Sequence, residues 1–304
     1  MAGRKRQALV AIMRVASVGL ALGVVGSVQA RTPAGFDITN VVDRVGGETY
    51  QLLVSRPTAP PPPAGYPAIY LLDGNATAPL ARQWLADHGL AGRVLVVGIG
   101  YPDTDNFNIP RRFVDLTPVS GAEHAGSGRA DAFLDFVARQ VRRRIAERFA
   151  LDEARQALYG HSLGGLTVLA QLVRDPTAFS AYFAASPSLW WGEGAFKPRL
   201  AAFAAGGCGE AAQSQQVTLT VGRNEQPVDR DVRARLGKAR VERLATRRMV
   251  DNTRWAAREL RRCGGLDVAQ RVLAQAGHRD ALRAGLFAAL DRWLGDAPRG
   301  TNGN

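Results

Sequence analysis

Cysteine and histidine are both scarce, with two cysteines, Cys208 and Cys263, and four histidines in 304 residues. That excludes a disulfide-dense scaffold and leaves no cluster at metal-ligand spacing, so no metal or other cofactor is expected. The two cysteines, each following a predicted helix, could pair in an oxidising compartment; sequence alone does not fix the distance between them. Lysine is rare among the basic residues, which are almost all arginine and scattered along the chain. With no nucleic-acid-binding motif, no nucleic-acid partner is expected. Internal repeats and a phosphate-binding glycine loop are absent too, and no apolar run reaches the ~20 residues a spanning helix requires.

What is present begins with a leader-like segment. Arg4-Lys5-Arg6 precede a largely apolar run from Val15 to Val25 and a small-x-small pattern at Val28-Gln29-Ala30. Residues 1–30 are therefore expected to be a secretory signal peptide, giving a periplasmic or secreted protein with no stable membrane span after cleavage. A retained membrane anchor is the lesser alternative. Of the formal net charge of +12, four positive residues and no acid lie in the leader, leaving +8 on the rest. A solvated basic surface, an anionic small molecule or an anionic membrane surface fits that charge.

The remaining length suits one large α/β domain or two small ones. Phe36 to Val42 and Glu48 to Ser55 read as strands joined through Gly46-Gly47, a hairpin signal. The proline run Pro60 to Pro63 is a stiff connector and not a domain boundary, because strand Pro67 to Leu72 follows at once. Residues 31–304 are thus expected to form one domain. Further strands are predicted at Arg93 to Ile99, Ala157 to Tyr159, Phe179 to Ala184, Val217 to Val221 and Val268 to Ala274. Helices are predicted at Ala78 to His88, Ala130 to Phe149, Leu163 to Val173, between Asp231 and Arg262, and at Asp280 to Leu294. Alternating strands and helices after an opening hairpin indicate α/β architecture: a mostly parallel sheet with helices on both faces. Between Tyr101 and Gly128 the pattern reads as one long loop.

The chain is organised around Gly160-His161-Ser162-Leu163-Gly164, a Gly-x-Ser-x-Gly motif between a short apolar strand and a helix. In that setting the serine sits on a sharp strand-to-helix turn that exposes its hydroxyl, making Ser162 the candidate nucleophile. A serine hydroxyl needs a base to take its proton. His88 and His124 precede the serine, and His161 is aimed differently by the turn. His278, after the last predicted strand and just before the final helix, is the candidate base. The acid is expected after the strand that ends at Val221; Glu225 is the first choice, with Asp229 and Asp231 as alternatives. Asp73-Gly74-Asn75, at the end of a strand and before a helix, puts backbone N–H groups at the sheet's carboxyl edge, with Asn75 the candidate oxyanion donor. Arg111 and Arg112 in the long loop are candidate substrate contacts, although Arg112 could instead pair with Asp115 to hold the loop. Trp190 and Trp191 are adjacent, so one of them is expected to line the substrate cleft.

Together, Leu71-Leu72-Asp73-Gly74-Asn75, the Arg111-Arg112-x-x-Asp115-x-Thr117-Pro118 loop, Gly160 to Gly165, Ser186-Pro187-Ser188-Leu189-Trp190-Trp191 and Gly277-His278 resemble the α/β-hydrolase esterases that include periplasmic trilactone-siderophore esterases. The likeness covers about residues 35–294. It implies the α/β-hydrolase fold, Ser162 and His278 as the catalytic pair, and the backbone N–H groups of Asn75 and Leu163 as the oxyanion hole. Some members are described as working with a serine-histidine dyad, which leaves the need for Glu225 open. The resemblance implies an exported serine esterase acting through an acyl-enzyme on a small anionic or aromatic ester, the ester bonds of a catecholate siderophore being the first expectation. A carbohydrate or aromatic acyl esterase of the feruloyl or acetyl type is the alternative, and an inactive exported binding protein is the alternative of another class.

Overall fold

The computed structural model describes residues 35–104, 106–121, 124–209, 214–226 and 230–295; the expected leader lies outside them. Eight strands among these residues form one sheet: β1 (Phe36–Val42), β2 (Thr49–Ser55), β3 (Tyr66–Leu72), β4 (Leu95–Gly100), β5 (Leu151–His161), β6 (Ala181–Ala185), β7 (Gln215–Gly222) and β8 (Leu266–Leu273). Their order is β1-β2-β4-β3-β5-β6-β7-β8. The β1–β2 and β2–β4 pairs are antiparallel, and every pair from β4–β3 to β7–β8 is parallel.

The helices are α1 (Gly74–Asp87), α2 (Ile109–Asp115), α3 (Ala130–Phe136), α4 (Arg142–Ala146), α5 (Leu163–Arg174), the short α6 (Trp191–Gly194), α7 (Lys197–Ala205), α8 (Arg230–Arg235), α9 (Lys238–Arg247), α10 (Met249–Leu260) and α11 (His278–Leu294). Strand residues alternate between the two faces of the sheet, as the pleat requires. In β3, Ala68, Tyr70 and Leu72 join a core with residues of α3, α5, α7 and α10. Ile69 and Leu71 face the opposite way, into a second core with residues of α1 and α11. Burial on both faces is why β3 and β4 read as continuous apolar runs.

Several elements differ from their sequence expectation. Helix α1 begins at Gly74, four residues early, because Asp73 adopts a left-handed backbone (φ 52°, ψ 47°) that starts the helix directly at the strand end. The expected long loop contains α2, whose first turn is capped by the Asn108 side chain accepting from the Arg111 N–H, with Pro110 early in the helix. The helix expected over Ala130 to Phe149 is interrupted by a π-helical turn at Val137–Val141. Cys208 and Cys263, left open by the sequence, form a disulfide with Cα atoms 5.5 Å apart. No helix of the described residues is long and apolar enough to cross a membrane.

Candidate active site

At the carboxyl end of β5 the chain turns through Ser162, which has φ 62° and ψ −116°. A non-glycine residue in that region is strained by ~1–3 kcal/mol and persists only where its surroundings hold it. The Ser162 N–H donates to the Ala185 carbonyl (2.9 Å), and its own carbonyl accepts from the N–H groups of Leu166 and Ser188, both at 3.0 Å. Glycine on either side is a packing requirement. A Cβ on Gly160 would lie 2.3 Å from the Gly164 carbonyl oxygen, and one on Gly165 2.8 Å from that of Ala185.

His278 is the first residue of α11, and its Nε2 lies 3.0 Å from Ser162 Oγ. Its Nδ1 lies 2.5 Å from Glu225 Oε2. Glu225 sits in a short 3₁₀ turn that follows β7 and is 1% exposed. A carboxylate so buried needs other donors, and Oε1 accepts from the Gly222 N–H (2.8 Å) and the Ser186 hydroxyl (2.5 Å). Of the alternative acids, Asp231 is exposed on α8 and Asp229 lies outside the described residues. The hydroxyls of Ser162 and Ser188 lie 3.1 Å apart. A hydroxyl, an imidazole and a carboxylate in series can pass a proton off the hydroxyl and stabilise the imidazolium that results.

The N–H groups of Asn75 and Leu163 belong to the first turns of α1 and α5, where a helix supplies no acceptor. The Asn75 side chain is otherwise engaged. Its Nδ2 donates to the carbonyls of Tyr101 (3.0 Å) and Thr104 (2.8 Å) and to Gln51 Oε1 (3.1 Å), while Oδ1 accepts from the Tyr101 N–H (2.8 Å). Those bonds fix the exit of β4 against the start of α1. A Cβ on Gly100 would fall 1.9 Å from Asn75 Oδ1, so that approach requires glycine.

The arginine loop pairs differently from the expected Arg112–Asp115 contact. Arg112 donates from Nε and Nη2 to the two carboxylate oxygens of Asp73, at 3.0 and 2.9 Å, with both residues buried. It is Arg111 that pairs with Asp115 (3.3 Å); it also meets Glu48 (3.0 Å) and lies over the rings of Tyr50 and Tyr101. Both arginines lie within about one helical turn of Asp115, but Arg112 is taken by Asp73, and Arg111, four positions before Asp115, pairs with it instead.

A cavity of about 940 Å³ opens beside Ser162, His161 and His278, lined also by Phe107, Arg112, Arg240 and Arg279. Arg111 does not line it, and neither tryptophan does. Trp191 is buried, donates from Nε1 to the Val119 carbonyl (3.0 Å) and stacks with Phe113 and His124. Both tryptophans border a separate cleft of about 400 Å³ with Lys197, Arg247 and Arg248, the Arg247 guanidinium lying 4.4 Å from the Trp190 ring centre. Among the described residues no group of three potential metal ligands occurs.

Sequence reasoning missed Ser186 and Ser188 as neighbours of the relay. Strand register could have found them, since β5 and β6 pair Gly160 with Ala184 and His161 with Ala185, which brings the residues after β6 beside Ser162. His161 was set aside, yet its ring centre lies 4.6 Å from that of His278 and its Nε2 is buried without a hydrogen-bond partner. Burial, then the charges of His278 and Arg112, hold its pKa well below the ordinary 6.5, so it stays neutral.

A strained serine between a parallel strand and a helix, with an acid after β7 and a histidine after β8, defines an enzyme-type site on the α/β-hydrolase fold. Residues 46–262 match the Esterase family, and the chain belongs to that family. It is 34% identical over 181 residues to the ferri-bacillibactin esterase BesA of Bacillus subtilis, covering 55% of this chain and 63% of that protein. It is 35% identical over 219 residues to the siderophore enterobactin esterase of Emericella nidulans, covering 66% of this chain and 72% of that one. The chain thus matches just under two thirds of the length of the Bacillus relative. The structure of siderophore hydrolase EstB from Aspergillus nidulans superposes with a TM-score of 0.76 at 29% identity, covering 87% of this chain and 96% of that one.

Proposed function

We propose that this protein is an exported serine esterase that cleaves the ester bonds of a catecholate siderophore. The observation that carries the reading is the unbroken series Ser162 Oγ, His278 Nε2, His278 Nδ1 and Glu225 Oε2, with links of 3.0 and 2.5 Å. Ser162 Oγ attacks the ester carbonyl carbon as His278 Nε2 takes the hydroxyl proton, and the carbonyl oxygen becomes an oxyanion held by the N–H groups of Asn75 and Leu163. The tetrahedral adduct expels the alkoxide, which leaves with the proton from His278. Water then attacks the acyl-Ser162 ester with His278 again the base, releasing the acid and restoring the hydroxyl. Glu225 holds the imidazole in the tautomer whose Nε2 faces Ser162. The oxyanion donors contribute on the order of 3 kcal/mol to the transition state.

The substrate class rests on the siderophore esterases among the relatives and on an arginine-lined cavity beside Ser162. Export accords with the Cys208–Cys263 disulfide, a bond that persists in oxidising compartments. Mass spectrometry of products from a panel of catecholate triesters, feruloyl esters and acetyl sugars tests the substrate. Labelling of Ser162 by a fluorophosphonate, absent in Ser162→Ala, tests the nucleophile. A Ser162→Ala protein with near wild-type turnover would falsify the mechanism.

A further inference from the structure

The arginines expected to contact substrate are committed elsewhere, Arg111 to Asp115 and Glu48 and Arg112 to Asp73. Two others in the same cavity are not. Arg240, on α9, and Arg279, the second residue of α11, both line the cavity with Ser162 and His278. Both are exposed, and among the described residues neither guanidinium has an ion pair or hydrogen bond. Arg240 also lines the adjoining cavity of about 790 Å³, which shares Gly277, His278 and Asp280 with the first and adds Arg223 and Arg235. Asp280 is the exposed carboxylate on these walls, and its Oδ2 is engaged by the Gly277 N–H at 2.9 Å. Cation therefore outweighs anion where a substrate would sit.

Helix α9 buries none of its residues, so packing does not account for an arginine at position 240. Such a concave, cationic wall concentrates anions, and a guanidinium fork offers paired N–H donors to planar oxygen anions.

Resting on the siderophore-ester reading, we propose that Arg240 and Arg279 determine specificity by charge, selecting the metal-loaded anionic form of the substrate over its neutral metal-free form. The chemistry follows from chelation. A catechol that binds ferric ion gives up both hydroxyl protons, and three such groups outweigh the charge of the metal, leaving the complex a net anion. The metal-free catechol triester keeps its protons near neutral pH. Two unpaired guanidinium groups beside the nucleophile bind the first more tightly than the second, and salt weakens that preference.

The test is steady-state hydrolysis of one catecholate triester, offered ferric and metal-free at low and high salt, with products quantified by mass spectrometry. Wild type is expected to favour the ferric form by roughly a hundredfold in kcat/KM, with Arg240→Gln and Arg279→Gln each lowering that ratio about tenfold, chiefly through KM. Arg240→Lys should keep most of the preference. Arg143→Gln, exposed on α4 and paired with Glu147, should keep all of it. Equal turnover of the two forms by wild type, or a ratio that survives in the double Gln variant, overturns the charge selection while leaving a siderophore esterase. Cleavage of p-nitrophenyl acetate with neither form touched overturns both readings.

Discussion

Arg112 closes a two-pronged ion pair on Asp73, the left-handed residue that turns β3 into α1 two positions before the Asn75 N–H. Both side chains are almost fully withdrawn from water, at 10% and 1% exposed. Arg112→Gln would leave a buried carboxylate unpaired, and the expected cost is about 3–5 kcal/mol of folding stability. Urea unfolding checks it through a lower midpoint at unchanged slope. The folded fraction should also lose kcat as the Asp73–Asn75 turn relaxes.

Glu225→Gln retains the shape of the acid but removes the charge that stabilises the imidazolium. A fall in kcat of about a thousandfold or more, with KM near wild type, is expected from a working third member. Active-site titration with a fluorophosphonate corrects for misfolded protein. A loss below tenfold would indicate a serine-histidine pair that works without its acid.

Ser186 sits at φ 46°, fully buried, and donates to Glu225 Oε1. Ser186→Ala deletes one of the donors that hold this carboxylate in place against His278. The expected outcome is a several-fold drop in kcat at near wild-type KM, read by steady-state kinetics corrected by active-site titration.

Much of this arrangement was legible in the chain. The sheet could be read because β3, β4 and β5 carry apolar runs bounded by turn residues, and the order Ser162, Glu225, His278 followed from one motif and the strands after it. Partners that depend on lateral neighbours were not legible. Arg112 pairs with a residue 39 positions earlier, and Ser186 with one 39 later. The placing of the tryptophan pair was not legible because burial depends on what covers a segment: the Val119 carbonyl and the Phe113 ring hold most of Trp191 inside, and both rings border a cleft other than the one beside Ser162. Arg240 carried no signal, lying on an exposed helix where charge is ordinary.

His161 should make the fold sensitive to mild acid. Its imidazole is kept neutral by burial, so its folded-state pKa is depressed below the 6.5 of an unfolded chain. The unfolded state then binds the extra proton, so the contribution is intact above about 6.5 and is lost as pH falls below it. Urea unfolding at about pH 7.5 and about pH 5 should show wild type losing more stability between the two than His161→Gln does.

The bond between Cys208 and Cys263 closes a stretch that holds β7, the Glu225 turn and helices α8 to α10, all anchored at one covalent neck. Because β7 pairs with both β6 and β8 and the Glu225 turn faces His278, the tether encloses a working part of the sheet and of the relay. Helix α9, which buries nothing, is where charge can be exchanged between family members at least cost to the fold.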